Sequence, residues 1–348
     1  MKYLLAFLAV VILLSSVVRA QDPPFTETLR SKADPRLAAY KPATQLSGSL
    51  KSIGADTMER LMKLWFDGFT KFHPQMKFSL EARSSLTAEP ALTEGLADMA
   101  QLSRELMPAE LDRFRKKFGY EPTLIRVGLG SYRTPSMTVA LSFYVHKSNP
   151  ITKLSFAQLD AIYCTGRNRG YQEDLTKWGQ LGLTGEWADR PIHAYGVQWP
   201  DGISNYIRLL VCKEGELKSE IKGVKIDHSP GVPTAMFRIL GEIDKDPAAI
   251  GYGGFYGEKP NTKRIAISVS PRGPYSMGNF EEVAAAKYPL TRYIHIVVNR
   301  APGKPLEPRV KEFLKYLLSR EGQQAVEREG VFMPLPAPLV KQELQKLE

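Results

Sequence analysis

Residues 46–105 read LSGSLKSIGADTMERLMKLWFDGFTKFHPQMKFSLEARSSLTAEPALTEGLADMAQLSRE, and this stretch decides the fold. Leu50 to Ile53 has the character of a short strand, and Gly54-Ala55-Asp56-Thr57 that of a turn. Leu61, Leu64, Trp65, Gly68, Phe69 and Phe72 then recur at helical spacing and form one apolar face. Lys77 to Glu81 alternates as a strand does. Arg83 to Ala88 makes a second polar turn, and a helix through Ala91, Leu92 and Leu96 follows. Ala97 to Leu102 leads into a third turn, Ser103-Arg104. Strand, turn and helix repeated in this way predict an open α/β sheet, in which ligand-binding turns gather at the carboxyl ends of the strands.

Two of these turns set hydroxyl residues beside a helix start, where unpaired backbone N–H groups and the helix dipole favour an anion. Thr57 and Ser85 therefore have two readings. They are candidate anion ligands, and they are also good helix caps, the commoner role for such residues.

The ends of the chain bound the compartment. Lys2, the apolar run Tyr3 to Leu14 and the small-residue site Val18-Arg19-Ala20 have the layout of a cleaved signal peptide; an uncleaved anchor is the alternative. Removing residues 1–20 takes away Lys2 and Arg19 and no acid, so the net charge falls from +10 to +8. A basic surface favours anionic ligands. The lysines and arginines are spread along the chain and not clustered, which argues against nucleic acid as a partner. Two cysteines, Cys164 and Cys212, remain. In an exported chain a disulfide between them is expected, with two buried thiols as the alternative.

Residues 21–45 are rich in proline and charge and read as an extended leader. Pro108 to Phe118 reads as a helix and Leu124 to Leu129 as a strand. Two β-rich runs far apart in sequence, Thr138–His146 and Thr291–Asn299, are expected to lie side by side as the strands through which the chain crosses between two domains and returns. Between them lies a second α/β segment, with a helix capped by Ser155, a strand over Pro191–Val197, the turn Gln198 to Gly202 and helices over Ile203–Lys213 and Val232–Ile243. Pro308 to Arg328 predicts an amphipathic helix pair, and Pro334 to Pro338 the end of the packed region.

The C-terminal motifs Tyr288-Pro289-Leu290-Thr291-Arg292, Pro302-Gly303-Lys304-Pro305-Leu306 and Ser319-Arg320-Glu321-Gly322-Gln323, with Ala249-Ile250-Gly251-Tyr252, resemble the PstS family, the phosphate-binding proteins of bacterial phosphate ABC importers. The likeness runs over residues 46–336. It implies an α/β protein of the type II periplasmic-binding fold, with two α/β lobes joined by two hinge strands around a ligand cleft. The implied organisation is a signal peptide at 1–20, a leader at 21–45, a first lobe from 46–137 plus 291–348 and a second lobe at 138–290.

The resemblance also assigns ligand turns. Gly54-Ala55-Asp56-Thr57 fits the family's first turn, so that Thr57 and Met58 would hold an oxyanion. Ser85 and Thr87 match the second turn, although its usual glycines are absent. Ser103 and Arg104 match the third. In the second lobe the family's Arg and Ser-Gly-Thr become Val197, Asp201, Gly202 and Ile203, and only Gly202 is kept. A carboxylate at Asp201 would repel a phosphate dianion. Arg83, Arg104 and Arg133 are the cations that would compensate, each with a structural salt bridge as its alternative.

The reading is thus a non-catalytic, monomeric periplasmic solute-binding protein for phosphate or a related small anion, without a cofactor, with an ABC permease as partner. The alternative is a sensor or interaction protein that keeps the fold and has lost the solute. An enzyme is disfavoured: the five histidines show no metal-type spacing, and no activated nucleophile is evident.

Overall fold

The computed structural model describes residues 30–348; the signal-peptide segment lies outside the described residues. The first lobe contains β1 (Ser47–Gly54), α1 (Glu59–Thr70), β2 (Gln75–Ala82), α2 (Ala88–Thr93), β3 (Ala100–Leu102), α3 (Pro108–Phe118) and β4 (Thr123–Leu129). The second contains β5 (Leu141–His146), β6 (Lys153–Ser155), α4 (Phe156–Tyr163), β7 (His193–Val197), α5 (Gly202–Leu210), β8 (Lys222–Val224), α6 (Ala235–Ile243), β9 (Ala249–Gly254), β10 (Thr262–Arg264), β11 (Ala266–Ser268) and α7 (Phe280–Ala284). The chain then returns to the first lobe through β12 (Tyr293–Val298), α8 (Pro308–Leu317), α9 (Arg320–Glu329) and α10 (Ala337–Gln345).

In lobe 1, β1 and β2 pair in parallel. β12 lies between β3 and β4, antiparallel to both. A parallel bridge from Ser52 to Met99, and a bond from the Ala55 N–H to the Gln101 carbonyl at 2.9 Å, stitch these groups into one layer. Helix α1 buries the face that its spacing predicts, with Leu61, Trp65 and Phe69 fully enclosed. The Trp65 indole donates to the Gly322 carbonyl at 2.8 Å, which fixes α1 against α9. Pro74 follows the helix closely and prevents its continuation. Lobe 2 is a five-stranded sheet in the order β10-β5-β9-β7-β8, with α4 and α6 among its buried helices. Ser155 caps α4 as expected, and Leu159 and Ile162 face the core.

Three expectations change. The runs Thr138–His146 and Thr291–Asn299 do not lie side by side: β5 pairs with β9 and β10 in lobe 2, whereas β12 pairs with β3 and β4 in lobe 1. Each run joins the sheet of its own lobe, because each satisfies its backbone groups there. The crossings themselves touch at their inner ends, where the Gly130 N–H donates to Arg292 O at 2.8 Å and the Leu141 N–H to Leu290 O at 3.2 Å.

Residues 30–45 carry no helix or strand, yet they are not a loose leader. Leu37 and Tyr40 are buried. The Tyr40 hydroxyl donates to Glu312 Oε1 at 2.9 Å and meets His73 Nε2 at 2.7 Å, and its ring packs edge-on against Phe72 and Tyr316. The packed region also extends past Pro338. In α10 Glu343 is buried and accepts from the Arg126 backbone at 3.0 Å and from its guanidinium, and Leu347 closes the core behind it.

Cys164 and Cys212 form a disulfide with Cα atoms 5.5 Å apart, tying the end of α4 to the end of α5 across 48 residues. In the chain-entropy view a loop of that length stabilises the fold by about 4 kcal/mol. We expect the unfolded, unreduced protein to show no reactive thiol, and Cys164→Ser with Cys212→Ser to lower the urea midpoint. Two labelled thiols per chain would refute the bridge.

A second prediction comes from β12. Burial, reinforced by the Lys346, Arg126 and Arg292 charges, lowers the His295 imidazole to about 3. A histidine held neutral in the fold stabilises it above the unfolded value near 6.5, and that stability is lost as pH falls toward the folded value. Between pH 7 and pH 5 the loss is about 2 kcal/mol. Urea titrations should show this slope in the native protein and a flatter one in His295→Gln; equal slopes would exclude His295 as its source.

Candidate functional site

The carboxyl ends of β1, β2 and β3 meet at Gly54. Its carbonyl accepts from the Arg83 N–H at 2.9 Å and the Ser84 N–H at 3.1 Å, which brings the second turn onto the first. A Cβ at Gly54 would lie 2.0 Å from the Gln101 carbonyl oxygen, so the third turn approaches equally closely. Ser52 and Gln101, both fully buried, bond side chain to side chain beneath the turns.

The turns face a cleft of about 610 Å³ between the lobes. Of the residues expected from the sequence, Ser85, Ser103 and Arg104 border it from lobe 1, and Asp201 and Gly202 from lobe 2. The Ser85 and Ser103 hydroxyls are 3.0 Å apart and bonded to each other. Thr57, Met58 and Thr87 are not on the lining. Met58 is fully buried in the core. The Thr57 N–H donates to Asp56 Oδ1 at 2.9 Å, and its hydroxyl is buried without a partner. The Thr87 hydroxyl donates to the Ser84 carbonyl at 2.7 Å, inside its own turn.

The compensating cations are engaged. Arg104 forms a two-pronged pair with Glu110, at 2.6 and 2.8 Å, and also donates to the Glu105 carbonyl at 2.8 Å. Glu110, only 3% exposed, is held in turn by the Met107 N–H at the start of α3. Arg83 pairs with Glu81, and Arg133 stacks on Tyr132. Arg292 borders the cleft too, a role that the sequence motif around it did not reveal. It lies over the Tyr206 ring, its contact to Glu105 is long at 3.4 Å, and its buried Nε has no partner.

On lobe 2, Asp201 caps α5, with its carboxylate accepting from the Ile203 N–H at 2.7 Å. A carboxylate thus occupies the helix start where the resemblance places an anion. Further lining comes from residues that the pattern did not single out. Thr138 donates to the Ser103 carbonyl at 2.7 Å, and Thr234 caps α6. Ser136 and Thr138 have positive φ, 61° and 53°, a backbone signal invisible in the sequence.

The lobes touch across the cleft. The Asn205 amide donates to the Leu106 carbonyl at 3.0 Å, and the Tyr206 hydroxyl to the Thr291 carbonyl at 2.8 Å. Burial pushes the Tyr206 hydroxyl well above the usual tyrosine value, so it stays a neutral donor. A second cavity, about 560 Å³, lies on lobe 2 around Lys222, Arg238, Lys245 and Lys259; none of the expected site residues borders it. Among the described residues the one group with metal-ligand proximity is Asp160, Cys164 and Cys212, and its two sulfurs are bonded to each other.

The fold agrees with comparisons to known proteins. A family model described as the PBP superfamily domain matches residues 39–321. The phosphate-binding protein PstS of Pseudomonas aeruginosa is 33% identical over 314 residues, covering 90% of this chain and 91% of that protein. Protein SphX of Synechococcus elongatus is 24% identical, over 70% of this chain and 64% of its own length. Among solved structures, PstS from Borrelia burgdorferi aligns with a TM-score of 0.51 at 18% identity, covering 83% of this chain and 99% of that one. An ABC-type phosphate transport receptor from Vibrio cholerae aligns with a TM-score of 0.50 at 17% identity, over 82% and 99%. The structural matches show the shared fold, and the identity to the Pseudomonas protein over nearly the whole of both chains shows the family: this chain belongs to the PstS family of the PBP superfamily.

Proposed function

We propose that the protein is a periplasmic solute-binding protein that holds phosphate or a related small oxyanion between its lobes and delivers it, as a monomer, to an ABC permease. The observation that carries this reading is convergence. Ser85, Ser103 and Arg104 from one lobe and Asp201 and Gly202 from the other border a single cleft. Two hydroxyls, a guanidinium and the unpartnered Nε of Arg292 are oxyanion-binding groups, and none of them is an activated nucleophile. The first twenty residues supply the export signal, and among the described residues no helix is long and apolar enough to cross a membrane.

A second reading, a sensor or interaction protein that has lost the solute, draws on the pairing of Arg104 with Glu110 and of Asp201 with its own helix. Arg104 and the N-terminus of α5, the two features that would hold an anion most strongly, already have carboxylate partners within the chain.

Isothermal titration of the mature protein with inorganic phosphate separates the two. Binding should saturate at one ion per chain. Ser85→Ala with Ser103→Ala should weaken it about tenfold, at about 0.7 kcal/mol for each lost hydrogen bond. Asp201→Ser, which keeps a capping oxygen and removes the charge, should strengthen it by a similar factor. No heat and no thermal shift with any oxyanion would favour the sensor.

A further inference from the structure

We infer that the cleft is built for a monoanionic organic phosphate, a phosphodiester with small apolar substituents, in preference to the inorganic dianion. The inference rests on the oxyanion reading of this same cleft.

Charge is the first argument. Three arginines border the cleft, and each faces a carboxylate: Arg104 at 2.6 Å from Glu110, Arg113 at 2.6 Å from Glu89, and Arg292 at 3.4 Å from Glu105. Asp201 and Asp227 add two more carboxylates on the lobe 2 side. Asp201 is held by the Ile203 N–H and Asp227 by the Ser229 N–H, and neither forms an ion pair with a lining arginine. Among the described lining residues, Arg292 is the cation with capacity to spare, through its long ion pair and its unpartnered Nε. One such cation matches one negative charge. A second negative charge would face Asp201 without compensation.

Apolar surface is the second argument. Met107 on lobe 1 and Ile203, Ile226 and Met236 on lobe 2 line the cleft. Leu86 and Ile226 stand at it from opposite lobes, 68% and 36% exposed. A bare oxyanion gains nothing from such side chains, whereas alkyl groups of an ester would remove both from water.

Size is the third. The cleft keeps about 610 Å³ although the lobes already touch through Asn205, Tyr206 and the approach of Gly202 to Arg104, where a Cβ would lie 2.7 Å from Cδ. The lobes are thus already in contact around a cleft of this size. Cavities of about 300–1,000 Å³ enclose organic ligands, and a phosphate ion fills only a small part of one.

The test is isothermal titration of the mature protein at pH 7.5 with inorganic phosphate and with diethyl phosphate. Diethyl phosphate should bind at least tenfold more tightly. Leu86→Ser with Ile226→Ser, both exposed and so harmless to folding, should weaken diethyl phosphate about tenfold and leave inorganic phosphate within a factor of two. Tighter binding of inorganic phosphate would overturn the inference and leave the oxyanion reading intact. A preference for the diester that survives the double variant would also overturn it, because the apolar side chains would then have no part. Absence of binding to either anion, checked by unchanged thermal stability, would remove the oxyanion reading and this inference with it.

Discussion

The whole ligand face of lobe 1 depends on one missing side chain. At Gly54 three turn backbones come together, and the space left is smaller than a methyl group: a Cβ would sit 2.0 Å from the Gln101 oxygen. The carbonyl of Gly54 itself holds two N–H groups of the second turn. Any larger residue would push β3 away from β1 and separate Ser85 from Ser103, whose hydroxyls meet at 3.0 Å. Packing below enforces the arrangement, because the Ser52–Gln101 bond is sealed under the turns and neither group has water as an alternative partner. A comparable contact governs the crossing segment, where a Cβ on Gly130 would lie 1.9 Å from the Thr138 carbonyl.

On this scaffold the electrostatics are unusually self-contained. An anion site normally leaves its donors waiting for the ligand. Here Glu110 holds Arg104, and Asp201 holds the start of α5. Each carboxylate sits where it satisfies a cation or a helix end inside the protein, so the chain carries internal substitutes for part of the charge that a ligand would bring. Membership in the PstS family therefore fixes the frame and the position of the cleft, while the charge balance within the cleft belongs to this sequence.

Much of the frame was legible in the sequence because its signals are local. Helical spacing marked the face of α1, alternation marked β2, and Ser155 marked the start of α4. The pairing of strands was not legible, since Thr138–His146 and Thr291–Asn299 have the same composition whether they pair with each other or each joins its own sheet. Residues 30–45 and α10 were misjudged for a related reason: proline-rich segments look loose until distant partners, Glu312 for Tyr40 and Arg126 for Glu343, are known. At the site, the family resemblance pointed to Ser85, Ser103, Arg104, Asp201 and Gly202, which border the cleft. It did not separate Thr57 and Thr87, whose hydroxyls turn inward, and it gave no hint of the Arg104–Glu110 pair, which depends on where α3 starts.

The interrupted composition of lobe 1 has a consequence for how the molecule comes into being. Its sheet needs β12 between β3 and β4, and its N-terminal segment needs Glu312, Arg320 and Glu321 to dock on. A chain that emerges N-terminus first therefore presents most of lobe 1 long before that lobe can close. Lobe 2 is drawn from one continuous run and carries its own disulfide, so it can finish while the earlier half still waits. The exposed apolar edge of the unfinished lobe makes that interval the period in which a holding chaperone has most to protect.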